Sequence, residues 1–202
     1  PSLRATFDML QAILATEFER VVPVRHTARL RFAGASDAAA DDLTKPSGGF
    51  LIAFLPGVRL AAVVDLNPHI KQWMNASSQQ IAQWELFQVL AAILAYPDAF
   101  RNRSGVWWID NAPALCSLVK GKSGSSDMDK MTMVIHLLLF SLGCTMFFEY
   151  VPSDSNWADG ISRQGFDDPW HKQHKFLPAH IHTLTEVLDL NFACLARVFS
   201  FL

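Results

Sequence analysis

The 202-residue sequence predicts an α/β fold: a mixed five-stranded sheet, three antiparallel strands followed by parallel ones, flanked by helices. Three observations predict it. Strand-like and helix-like runs follow the order three strands, helix, strand, helices, strand, helix, and strands separated by helices are joined by right-handed crossovers in one sheet. Half of the residues are hydrophobic and mean hydropathy is +0.17, ample for a core. Two strands, Val106 to Ile109 and the one ending near Val151, run into segments that carry an acid and then a helix.

The elements follow in order. Leu3, Phe7, Leu10, Leu14 and Phe18 recur at helical spacing, so residues 3–20 read as an amphipathic helix that Pro23 ends. Alternation through Arg29, Leu30, Arg31 and Phe32 predicts a first strand, and the Ala, Asp, Ser and Gly of residues 34–49 predict a long turn. Residues 50–55 and 58–66, separated by Pro56 and Gly57, predict a hairpin. A helix capped by Ser77 or Ser78 runs through Ile81, Trp84 and Val89 to Pro97. Residues 105–109 form the fourth strand, with Trp107 and Trp108 on opposite faces. Helices follow at 112–119 and 128–142, and a fifth strand at 144–151.

From Gln164 the character changes. Residues 166–202 read as an extension, first rich in His and Pro and then apolar, with Leu188, Phe192, Leu195 and Phe199 on one helical face. His171, His174, His180 and His182 there fit a solvated linker, because no Cys or acid stands at a recognisable ligand spacing.

Composition excludes several classes. A formal charge of -2 gives no global basic field, so nucleic-acid contacts must come from a local patch such as Lys120, Lys122 and Lys130. Three widely spaced cysteines fit reduced thiols and an intracellular setting, cytoplasmic or nuclear. The apolar run from Met131 to Val151 is interrupted by His136 and Gly143 and carries Glu149, so it reads as a buried helix and strand with no membrane partner. The sequence opens on Pro1, which predicts a fragment or processed piece. No phosphate-cradling loop and no G-x-S-x-G elbow occurs, and no histidine is placed to make a triad with Ser153, Ser155 or Ser162.

Three acids stand out. Glu85 interrupts the apolar stripe of Ile81, Val89 and Ala92, while Asp110 and Asp159 sit where strands meet helices. Asp110 also suits a helix N-cap. Carboxylates gathered at one sheet edge repel unless cations neutralise them, and oxygen-only ligands favour Mg2+ or Mn2+.

FLIAFLPGVRLAAVVDL, IAQWELFQVLAAIL, WIDNAPALCSLVKGKS and FEYVPSDSNWADGISRQG resemble, in order and spacing, the ribonuclease H domain of retroelement reverse transcriptases. The likeness covers about residues 29–165. It implies a helical connecting segment at 1–28, a polymerase domain in the same polyprotein, and hydrolysis of the RNA strand of RNA/DNA hybrids with two Mg2+ or Mn2+ ions. Glu85, Asp110 and Asp159 match three of the family's four catalytic, metal-holding acids. Asn111, Lys120 and Lys122 are candidates for nucleic-acid contacts. The first acid departs from the pattern, because Gly34 stands where the family carries Asp. Two readings stay open: Asp37 substitutes through a bulge or turn, or the site lacks its first ligand and the domain is a degenerate structural or nucleic-acid-binding module beside a polymerase.

Overall fold

The structure, a computed structural model, describes residues 11, 31–39, 47–55, 57–65, 74 and 80–181. The expected helix at 3–20, its end at Pro23 and the apolar tail from residue 182 lie outside the described residues, apart from position 11; the helix expected to be capped by Ser77 or Ser78, which also lie outside them, instead begins at Ile81, with Gln80 in the N-cap position.

The strands are β1 (Arg31–Ala39), β2 (Ser47–Leu55), β3 (Arg59–Asp65), β4 (Ser104–Ile109), β5 (Thr145–Tyr150) and β6 (Leu177–His180). They form one six-stranded sheet in the order β5-β4-β1-β2-β3-β6. β1, β2 and β3 pair antiparallel, whereas β4 joins β1, β5 joins β4 and β6 joins β3 in parallel. The mixed sheet is as expected, but it has six strands instead of five. The sixth comes from the stretch predicted to be an extension, and its anchorage includes Arg59 Nη1 donating to the His174 carbonyl at 2.8 Å.

The helices are α1 (Ile81–Ala95), α2 (Pro97–Phe100), α3 (Ala112–Lys120), α4 (Ser126–Ser141), α5 (Asp159–Gln164) and α6 (Pro169–Gln173). α1 is buried without a break from Gln83 to Ile93, since it lies between the sheet and the other helices of its layer. Its Trp84, Phe87 and Leu90 meet Phe32, Phe50, Ile52 and Trp107 of the sheet and Ile135 and Leu138 of α4 in the main core. Gly143, at φ 61, lets the chain leave α4 for β5. Among the described residues no helix is long and apolar enough to cross a membrane.

The opposite face carries a smaller core. Ala35, Leu51 and Ala61 of the sheet pack beneath Ala158, Ile161 and Phe176, with Trp108 and Trp157 alongside, their ring centroids 4.9 Å apart. Trp107 and Trp108 therefore divide between the two faces as their alternation requires.

The predicted first strand ended too early. β1 continues in unbroken register from Arg31 opposite Leu55 to Ala39 opposite Ser47. Its small residues are a consequence of burial on both faces, where Ala35, Ser36, Asp37 and Ala38 are all enclosed. Nor is the stretch after Gln164 a solvated linker. His171 is 2% exposed, and Asp168 caps α6 by accepting from the backbone N–H of Trp170 and His171.

Candidate active site

Parallel pairing of β1 with β4 sets Gly34 beside Trp107 and Ala35 beside Trp108. Two residues further along each strand direction come Asp37 and Asp110. Side chains alternate along a strand, so Asp37 shares the face of Ala35, and Asp110 leaves β4 on the face of Trp108. Both acids belong to the side of the sheet that α5 covers.

Gly34 belongs to the other side. A Cβ at that position would overlap the Trp107 ring, deep in the main core. Gly34 thus provides room for an indole, whose Nε1 donates to Ser36 Oγ at 3.0 Å. Gly34 and Asp37 lie on opposite faces, as parity requires, and Asp37 meets Glu85 and Asp110 in unbroken register, without the bulge or turn expected.

Glu85 arrives from the main-core side. It is 1% exposed on α1, and its Oε1 accepts from the Ala38 backbone N–H at 3.0 Å. Its other side-chain contact is with the Asp37 carboxyl, and Oε2 is buried with no protein N–H or O–H donor. One carboxylate oxygen each from Asp37, Glu85 and Asp110 lies within 4.8 Å of the others.

This convergence perturbs the acids. Burial, reinforced by Asp110 and Asp159, raises the Asp37 carboxyl to about 6, against a lowering contribution from Ser162, whose hydroxyl donates to Asp37 Oδ2. Burial together with Asp37 and Asp110 pushes Glu85 well above the ordinary range. Such crowding of like charges in a buried place is what a bound cation relieves.

Asp110 is not the helix cap. Asn111 takes that role, its Oδ1 accepting from the Ala114 backbone N–H at 3.0 Å, which leaves the Asp110 carboxylate to the cluster. Asp159 opens α5 and stands apart from the tight group of three. It is 40% exposed and pairs with Arg163 at 2.8 Å, yet lies close enough for its charge to act on Asp37. A cleft of about 710 Å³ opens beside it, walled by Asn156, Trp157, Arg163 and Trp170.

Lys120, the last residue of α3, and Lys122 just after it are exposed at the helix end opposite Asp110. His136 bonds the Leu118 carbonyl at 2.8 Å and sets its ring edge to Phe148, a packing role. Two residues around the acids were not assigned a part there from sequence, Ser162 having been weighed only as a triad serine. Asn156 donates to the Ser36 carbonyl at 3.0 Å and accepts from the Ala158 N–H, and Ser162 holds Asp37. Both lie in the VPSDSNWADGISR run, whose spacing marked a motif without indicating what each polar side chain does.

No protein-family profile and no curated protein matches this sequence. Solved structures do match. The ribonuclease H1 of the halophilic archaeon Halobacterium salinarum NRC-1 superposes with a TM-score of 0.50 at 16% identity, over 68% of this chain and 98% of that one. The N-terminal RNase H domain of a Mycobacterium tuberculosis protein gives 0.47 at 12% identity, over 72% and 99%. A foamy viral protease-reverse transcriptase in complex with an RNA/DNA hybrid gives 0.38 at 11% identity, over 74% and 22%. With the strand order and the helices on both faces, the first likeness makes the fold ribonuclease H-like.

Proposed function

We propose that this chain is a ribonuclease H-type nuclease domain that hydrolyses the RNA strand of RNA/DNA hybrids. The observation that carries the reading is the meeting of Asp37, Glu85 and Asp110 within 4.8 Å, with Glu85 almost fully buried. The ribonuclease H-like fold supports it.

The donor set fits a hard divalent cation: carboxylate oxygens only, no sulfur or imidazole, crowded together in a buried place. Asp37, Glu85 and Asp110 would hold it, and Asp159 would complete the set of four acids that the sequence resemblance implies. Bound Mg2+ or Mn2+, two ions by that resemblance, supplies Lewis acidity toward the phosphodiester and makes water more acidic. The chain's own contribution is placement. β1 and β4 fix two acids side by side, α1 fixes the third through the Ala38 N–H, and the half-exposed Asp159 faces the side from which a duplex can approach.

The same resemblance supports a retroelement origin, with residues 1–28 as a connecting segment after a polymerase domain, an intracellular setting and Asn111, Lys120 and Lys122 near the substrate backbone. Because β6 completes the sheet, we extend the nuclease unit from residue 29 through β6 instead of ending it at 165.

A labelled hybrid incubated with Mg2+ tests the reading. Wild type cleaves the RNA strand, and Asp110→Asn loses at least about 100-fold in rate, as loss of a group that holds the metal requires. Cleavage unchanged by Asp110→Asn, or absent in wild type, would overturn it.

A further inference from the structure

Ser162 is 2% exposed on α5, and its hydroxyl lies between two acceptors, Asp37 Oδ2 and the Asp159 main-chain carbonyl, the latter at 2.9 Å. A hydroxyl carries one proton and can satisfy one acceptor at a time. The carbonyl bond is an ordinary back-bond within the helix and needs nothing from β1. The bond to Asp37 instead reaches across from α5 to β1, and it is the contact that bears on the acid cluster.

We infer that Ser162 is a positioning residue that holds Asp37 in the rotamer in which it serves as a metal ligand. This rests on the nuclease reading above and adds a residue to it. Rotation of a carboxylate about its terminal torsion is soft, and a buried acid next to two others has every electrostatic reason to turn away. The Ser162 hydroxyl opposes that turn from the side of the sheet opposite α1. Because Ser162 sits one turn after Asp159 on the same helix, the contact also sets the fourth acid's helix against β1.

The role is separable from a structural one. α5 keeps a second attachment to β1 through Asn156 and the Ser36 carbonyl, and Ala158 and Ile161 are fully buried beneath it, so removing one hydroxyl leaves the docking in place.

Mn2+ binding read from the electron paramagnetic resonance of the free ion provides a test independent of turnover. In Ser162→Ala the dissociation constant for Mn2+ rises about 10-fold or more, the effect expected of an outer-shell partner, while the melting temperature in EDTA stays within a few degrees of wild type. Ser162→Thr, which keeps the hydroxyl, restores affinity to within about threefold of wild type. Should the added methyl unfold the domain, Ser162→Cys replaces it, and its weak donor places the affinity between wild type and Ser162→Ala. Wild-type affinity in Ser162→Ala, or a Thr variant folded but as weak as Ala, overturns the role. Asp110→Asn separates the two levels. If it abolishes Mn2+ binding while Ser162→Ala binds Mn2+ as tightly as wild type, only the Ser162 role falls; if it leaves Mn2+ binding intact, the nuclease reading falls with it.

Discussion

Ala35 of β1 stands beside Trp108 of β4, and each is followed two residues later by an acid, Asp37 and Asp110. The pair of carboxylates is thus a product of strand register, with α1 adding Glu85 from the other face. Gly34, one residue out of phase, points at Trp107 instead.

That parity yields the first prediction. Gly34→Asp places a charged side chain into the Trp107 ring within the main core, so overlap and an unpaired buried charge combine to cost about 3 kcal/mol or more. Urea unfolding should show the loss, and hybrid cleavage should not rise. A stable, more active Gly34→Asp protein would restore the view that position 34 lacks a ligand.

The second concerns pH in the absence of metal. Asp37 is raised from 3.8 to about 6 and Glu85 well above its usual value, so the native state binds more protons than the unfolded chain across that window. The resulting stability is fully present below about pH 4 and is lost as pH rises through about 6, on the order of 3 kcal/mol for Asp37 alone. Asp37→Asn should therefore gain stability relative to wild type as pH rises from 4 to 7 in EDTA. With Mg2+ present the trend reverses, because ligands must shed their protons to bind. Unfolding midpoints at three pH values decide it, and a wild-type protein that gains on Asp37→Asn in EDTA contradicts the acid cluster.

Elements with a strong apolar period were legible in sequence, while those built from small or mixed residues were not. α4 was expected at 128–142 and lies at Ser126–Ser141, and β4 was expected at 105–109 and lies at Ser104–Ile109. β1 was cut short because Ala35, Ser36, Ala38 and Ala39 have the composition of a turn, though in a strand covered on both faces small size is what packing demands. β6 was missed because Pro178 and His180 speak against a strand, yet an edge position tolerates a proline. Glu85 and Asp110 stood out as acids without a packing reason. Asp37 did not, because its reading depended on where β1 ends.

The third prediction separates neighbours. Asn111 caps α3 while Asp110 faces the acids, so Asn111→Ala should cost about 1 kcal/mol of stability and leave Mn2+ affinity within about twofold. Asp110→Asn should do the opposite, losing metal binding and gaining stability in EDTA as like-charge repulsion is relieved. A calorimetric melt and a metal titration on both variants check it, and the same profile for the two would remove the distinction.

The fourth concerns the lysines beyond α3. Nine helical residues put Lys120 about 13 Å along the axis from the start of the helix next to Asp110, a little over a third of a duplex turn of about 34 Å. Neither Lys120 nor Lys122 makes an ion pair among the described residues, so both are free to meet phosphate. Each contact contributes about 0.9 to the slope of log K against log salt. In an Asp110→Asn background without divalent metal, changing both lysines to Gln should flatten that slope by about 2 and weaken all hybrid sequences alike. Parallel salt plots for the two proteins would show that these lysines stay in solvent, and the track of the duplex would then have to pass on the Arg163 side of the cluster, where the cleft opens.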